Sequence, residues 1–212
     1  MLAPLPLQLA PPAPFPLVFA QALDEQPVAP GVERATYRFQ TAAGPLVVHL
    51  VAVDPGEPSV RLRVVLDHDR LIGPGETISA MAARTGAVAG INGDFFDIGG
   101  NNAPEGVVVQ AGTLVRSPAQ RVALEISESG AVEFAPVAFS GSVAYGPTTI
   151  PLTGVNVWPP QGGASFLDAQ IGVLPASDDV TLVSLAASGP LADVAGAYTV
   201  TALAPASGGA VR

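Results

Sequence analysis

The sequence contains no cysteine, which excludes disulfides and zinc–thiolate sites. Its imidazoles are His49 and His68, so a histidine-rich metal centre would need both of them together with acids. Basic residues are scarce. There are 9 Lys+Arg against 18 Asp+Glu, a formal net charge of −9. Nucleic-acid binding leaves a basic footprint, so this balance argues against a nucleic-acid partner. No unbroken apolar run reaches the roughly 18 residues that a membrane-spanning helix requires. Neither a GxxxxGK[ST] nor a GxGxxG string is present, so a phosphate-cradling glycine loop of either common type is absent.

What remains is a chain of 212 residues, 49% hydrophobic and 13% charged, with 22 Pro and 23 Gly. That composition belongs to globular proteins rich in strands and turns. The first 30 residues stand apart. They carry no Lys or Arg, and prolines 4, 6, 11, 12, 14 and 16 interrupt their apolar run. A secretory signal has a basic start and a continuous apolar core. The small-x-small character of LVFAQA (17–22) nevertheless resembles a cleavage site. Residues 1–30 are read as a damaged signal peptide or a proline-rich leader, and 31–212 as the domain.

From Arg34 onward the pattern is regular. ATYRF (35–39) and VRLRVV (60–65) alternate apolar and polar residues, and PLVVHLVAV (45–53) is nearly continuous in apolar residues before a DPGEP turn cluster. These features predict three strands in antiparallel succession, with His49 half-buried on the second. Thr77 predicts a helix start and Gly86 its stop, with Ile78, Met81, Ala82 and Thr85 on one face. AVAGI (87–91) reads as a buried strand covered by that helix. Further strands are predicted at 106–110, 121–126, 132–139, 148–152, 181–187 and 197–204. The expected class is α+β: mostly β, in twisted, largely antiparallel sheets with one short helix.

The stretch that carries chemistry is AGINGDFFDIGG (89–100). Asn92, Asp94 and Asp97 offer oxygens within one short loop, and the flanking glycines permit unusual backbone angles. A site at the end of a strand is held by rigid scaffold while its side chains meet a cleft. Three readings fit these residues. The loop is a plain turn, in which Asn and Asp bond their own backbone and a Phe plugs the core. Or it is an irregular calcium site, since the regular EF-hand spacing fails at Phe96, Asp97 and Ala103. Or it is a catalytic loop. Successive extended residues point to opposite sides. One of Phe95 and Phe96 is therefore expected to anchor the loop in the core and the other to line the cleft.

INGDFFD, followed by Pro104-Glu105-Gly106 and then by a glycine-led hairpin and RSP (116–118), resembles the phosphodiester glycosidase family, whose lysosomal member uncovers mannose phosphate by removing N-acetylglucosamine. GVNVWPP (154–160) and the IGV stretch (171–173) are a weaker echo, and the likeness spans roughly residues 35–205. Bacterial relatives are secreted or envelope proteins linked to exopolysaccharides. Family members usually continue into Arg-Thr-Ala and Asp-Gly-Gly-Gly-Ser segments, and neither string occurs here. The chain is thus expected to be the N-terminal portion of such a domain, an incomplete one.

The resemblance implies hydrolysis of glycosyl-phosphate diesters at the sugar C1–O bond, outside the cell or in its envelope, with no cofactor. A phosphate monoester has a second pKa of about 6 and leaves without much protonation. The site then needs carboxylates for water or for an oxocarbenium-like centre, and donors for the phosphate. Asp94 and Asp97 are the candidate catalytic acids. Asn92, Gly93, Phe96, Glu105, Gly106 and Arg116 are the candidate substrate-binding residues, with Arg121 a second cation in reach. Trp158, the one tryptophan, stacks on a sugar or plugs a hairpin. The alternative function is a non-catalytic carbohydrate- or polymer-binding β domain that keeps the loop as a turn.

Overall fold

A computed structural model describes residues 23–41, 43–119, 121–189 and 196–210. Residues 1–22, most of the stretch read as a leader, lie outside them. The chain divides into two units, Met1–Arg61 and Leu62–Arg212.

The first unit is an antiparallel meander, β1 (Asp24–Ala29), β2 (Val32–Thr41) and β3 (Gly44–Val53), in that order across the sheet. Its first strand therefore begins within the segment read as leader. The alternation in ATYRF puts Tyr37 and Phe39 on one face, where their rings stack with centroids 6.2 Å apart. Thr36 stands opposite His49, and the Thr36 hydroxyl and His49 Nδ1 lie 3.1 Å apart. His49 is exposed rather than half-buried. The third strand expected at 60–65 does not form. Arg61 turns back on its own backbone, donating to the carbonyls of Pro58 and Val60 at 2.7 and 2.6 Å. Alternation supplies an amphipathic face, but a strand also needs a partner edge, and among the described residues none pairs with this one.

The second unit opens with α1 (Ile78–Thr85), bounded as its cap residues require. The Thr77 hydroxyl accepts the Ala80 N–H at 3.2 Å. Gly86 takes the left-handed conformation at φ 72°, and the Ala87 N–H returns to the Ala82 carbonyl at 3.0 Å. Hairpins follow: β4 (Val108–Gln110) with β5 (Thr113–Arg116), β6 (Val122–Ile126) with β7 (Val132–Pro136), and β8 (Gly141–Tyr145) with β9 (Thr148–Leu152). A short parallel pair, β10 (Gly154–Val155) and β11 (Ser165–Phe166), precedes the long hairpin β12 (Val173–Ala187) and β13 (Tyr198–Ala210). The fold is mostly β with one α-helix, and its strand pairs are antiparallel except β10–β11.

The core of this unit is small. Leu66, Leu71, Val108 and Val115 form one buried cluster. AVAGI does not join it: residues 87–91 are neither strand nor buried, and Ile91 is 90% exposed. The helix meets the segment at Gly90, where an added Cβ would fall 2.8 Å from Ile78 Cγ2. An uncharged run gives no direction for its ladder, and no described strand supplies one.

The helix is instead tied down by charge. Arg84 binds Glu76 through Nε at 3.1 Å and a terminal nitrogen at 3.0 Å, reaches Asp69 at 2.6 Å, and donates to the Leu66 carbonyl at 3.1 Å. Glu76 also accepts the His68 N–H at 2.9 Å. The Glu76 side chain is 6% exposed. Its hydrogen bonds to Arg84 and then to the His68 amide pull its pKa from the ordinary 4.5 down to about 2. A depressed carboxylate contributes stability that is complete above about pH 4.5 and is lost as pH falls toward 2. Thermal melts followed by circular dichroism should therefore show a drop in melting temperature across that window. Glu76→Gln should melt lower at neutral pH and lose less on acidification. Parallel acid profiles for the two proteins would show that this ion pair does not hold the helix.

Candidate functional site

The chain from Asn92 to Gly106 forms a closed loop whose neck is backbone. Phe95 O accepts the Glu105 N–H at 2.9 Å, and Asp97 N–H donates to Ala103 O at 3.0 Å, with Phe96 and Pro104 bridged between them. The tip is a turn built on Asp97. Its carbonyl accepts the N–H groups of Gly100 and Asn102, each at 3.2 Å, and its carboxylate accepts the Asn101 N–H at 3.1 Å. Gly100 packs against that carboxylate so closely that a Cβ there would collide with it. Asn101 Oδ1 receives the Ala103 N–H at 2.9 Å, and Asn102 Nδ2 donates to Gly73 O at 3.0 Å, anchoring the tip to the loop before α1.

On one side of this neck lies an open depression of about 380 Å³, lined by Asn92, Gly93, Asp94, Phe95, Phe96 and Ile98. The expected division of labour between the phenylalanines is not found: Phe95 is 70% and Phe96 45% exposed, so neither ring anchors the loop in the core. The neck itself explains this, because its hydrogen bonds hold the loop without a buried plug.

Asp94 sits at the edge of the depression. Its Oδ1 accepts the Phe95 N–H at 2.7 Å and Arg121 at 3.3 Å. The other terminal nitrogen of Arg121 reaches Glu105 Oε2 at 2.9 Å, and the guanidinium lies 5.4 Å from the centre of the Phe95 ring. These pairs are exposed and contribute about 0–1 kcal/mol each. Their effect is positional rather than stabilising. Gly106 is buried beside Asp94, where a side chain would meet the carboxylate.

The structure thus brings together Asn92, Gly93, Asp94 and Phe96, and joins Glu105 and Gly106 to them through Arg121 and through packing. Asp97 lies in the same loop with its carboxylate engaged in the turn. Arg116 is directed elsewhere. It is half-buried, donates to the Asn156 carbonyl at 3.1 Å, and its buried Nε has no partner among the described residues. Burial lowers its pKa, and the charge of Glu105 opposes that shift. The cation at the acids is Arg121, and Phe95 is a larger part of the surface than Phe96. Proximity in sequence to the loop marked both arginines equally; only the hairpin register separates them.

The remaining stretches that drew attention in the sequence meet one another. Ser117 Oγ accepts the Val155 N–H at 2.6 Å, and Ser117 N–H donates to Val155 O at 3.1 Å. Asn156 is fully buried, donates to Val115 O and Asp168 Oδ1 at 2.8 Å each, and accepts the Asp168 N–H at 3.0 Å. RSP and GVN are therefore the two sides of one buried seam. Trp158, two residues on, is 40% exposed. Asp67, His68 and Glu76 bring one ligand-type atom each within 4.8 Å of one another, but Glu76 is already engaged by Arg84 and by the His68 amide. That grouping is read as an ion-pair knot.

No family model, curated protein or solved structure matches the chain.

Asn156 occupies the left-handed region at φ 52°, which asparagine tolerates and alanine resists. Asn156→Ala should lose several kcal/mol, because each buried group left unpaired costs about 1–3 kcal/mol and the backbone is strained besides. Asn156→Gly should be less damaging, since it loses the same hydrogen bonds without the strain. Denaturant titration of the two variants checks the order; an equal or reversed order would mean that the backbone conformation at 156 carries no cost.

Proposed function

We propose that the depression around Asp94 is a site for glycosyl-phosphate diesters, cleaved at the sugar C1–O bond, on glycans outside the cell or in its envelope. The observation that carries this reading is the placement of two exposed phenylalanine rings beside Asp94 on one open surface. A sugar ring has apolar C–H faces and polar edges, and a ring-plus-carboxylate surface complements both. The resemblance of INGDFFD, Pro104-Glu105-Gly106 and RSP to phosphodiester glycosidases supports the same substrate class.

The chemistry asked of such a site is modest. The leaving group is a phosphate monoester, whose second pKa of about 6 makes general-acid help unnecessary near neutral pH. What the protein must supply is a fixed negative charge near C1 as positive charge develops there, and a cation for the phosphate. Asp94 is fixed by its own following amide and by Arg121. Arg121, forked and exposed, is the cation nearest to it for a phosphate oxygen.

The second reading is a carbohydrate-binding β domain without turnover. It is favoured by the engagement of Asp97 in the turn, which removes one of the two acids that the motif spells. The two readings separate in one experiment. The purified chain is incubated with a glycosyl phosphodiester, and release of the phosphate monoester is followed by phosphorus NMR. Hydrolysis is expected, and Asp94→Asn should lower it by at least about 100-fold with the melting temperature nearly unchanged. Saturable binding without release would establish the second reading. Neither binding nor release would exclude both.

A further inference from the structure

The loop spells Asp94 and Asp97 as its pair of acids, but the acid that Arg121 joins to Asp94 is Glu105. The hydrogen bond from Glu105 N–H to Phe95 O sets the start of the loop against its end. Asp94 then lies against Gly106, and Arg121 spans the two carboxylates, 3.3 Å from Asp94 and 2.9 Å from Glu105. A planar guanidinium has its donors in a rigid fork, so it orients both acceptors at once.

The acids it joins are not equivalent. Asp94 Oδ1 takes two donors, the Phe95 amide and Arg121. Glu105 takes one, on Oε2. Neither Asp94 Oδ2 nor Glu105 Oε1 has a hydrogen-bond partner among the described residues, but Asp94 Oδ2 is packed against the buried Gly106, where an added Cβ would collide with it. The Glu105 side chain is 47% exposed against 37% for Asp94. One carboxylate is thus held as a fixed charge, and the other keeps an oxygen open to water. Asp97, by contrast, spends its carboxylate on Asn101.

We propose that Glu105 is the group that takes the proton from the attacking water, with Asp94 as the fixed charge beside C1 and Arg121 as the residue that positions both. This rests on the hydrolase reading given above. In the step, a lone pair of the water oxygen forms the bond to C1. The C1–O bond to phosphorus breaks and its electron pair stays on the phosphate oxygen. Glu105 accepts one water proton and returns it to solvent. The products are the free sugar and the phosphate monoester, and no oxidant or cofactor is consumed.

The test uses the full chain and a glycosyl phosphodiester. Because Glu105 is exposed, Glu105→Gln and Glu105→Ala should keep the wild-type melting temperature. Glu105→Gln should lower kcat about 100- to 10,000-fold, the usual contribution of general acid–base catalysis, with KM little changed. Glu105→Asp should retain part of the activity. Added formate should restore turnover to Glu105→Ala, since a small carboxylate can occupy the space and take the proton; a residue with a purely structural role would not respond. Wild-type kcat in Glu105→Gln would overturn the inference and leave the hydrolase reading standing. So would a loss confined to KM, or a Glu105→Ala variant that formate does not rescue. Absence of hydrolysis by the wild-type chain would overturn both.

Discussion

Two backbone hydrogen bonds, Glu105 N–H to Phe95 O and Asp97 N–H to Ala103 O, determine what the acidic loop can do. They close a neck that sets Phe95 against Glu105 and Asp94 against Gly106. Everything polar at the site follows from that register: the contact of Asp94 with Gly106, the span of Arg121 across two carboxylates, and the turn that occupies Asp97. A shift of one residue would turn each side chain to the other face of the neck and dissolve the arrangement. The site is therefore a product of backbone pairing more than of its individual side chains. That is consistent with its exposed ion pairs, which contribute little energy of their own.

Much of the scaffold was legible. Alternation marked β2, the strands expected at 121–126 and 181–187 fall on β6 and the C-terminal half of β12, and the apolar run at 45–53 marked β3 to within one residue. Thr77 and Gly86 marked both ends of α1, because each satisfies a specific backbone need that few other residues meet. Two stretches misled for a common reason. VRLRVV and AVAGI have strand-like composition, but a strand is a relation between segments, and composition reports only one side of it. The site was half legible on the same grounds. Asn92, Asp94 and Phe96 lie together because they are adjacent in the chain, while the link from Glu105 to Asp94 depends on Arg121, 27 residues from Asp94. Asn156 carried a local signal in its tolerance of positive φ, but its partners, Val115 and Asp168, are set by the seam between β5 and β10.

The apolar surface beside the acids is the remaining tension. Ile91, Phe95 and Ile98 are each at least 70% exposed, next to a charged cluster that water solvates well. Removing one such side chain from water is worth about 1.5–3 kcal/mol. A polypeptide that leaves three of them outside, within a span of eight residues, forgoes a considerable share of the 5–15 kcal/mol typical of a folded domain. A plain turn has no use for that cost, because Asn, Asp and Gly make the turn unaided. A purely apolar ligand would recover it but would strip water from Asp94, Glu105 and Arg121 without replacing their hydrogen bonds. A ligand with C–H faces bordered by hydroxyls and an anionic group satisfies both demands: the faces cover the rings, the hydroxyls meet the carboxylates, and the anion meets the guanidinium. The proposed ligand, a glycosyl phosphate, would carry that division on its own surface.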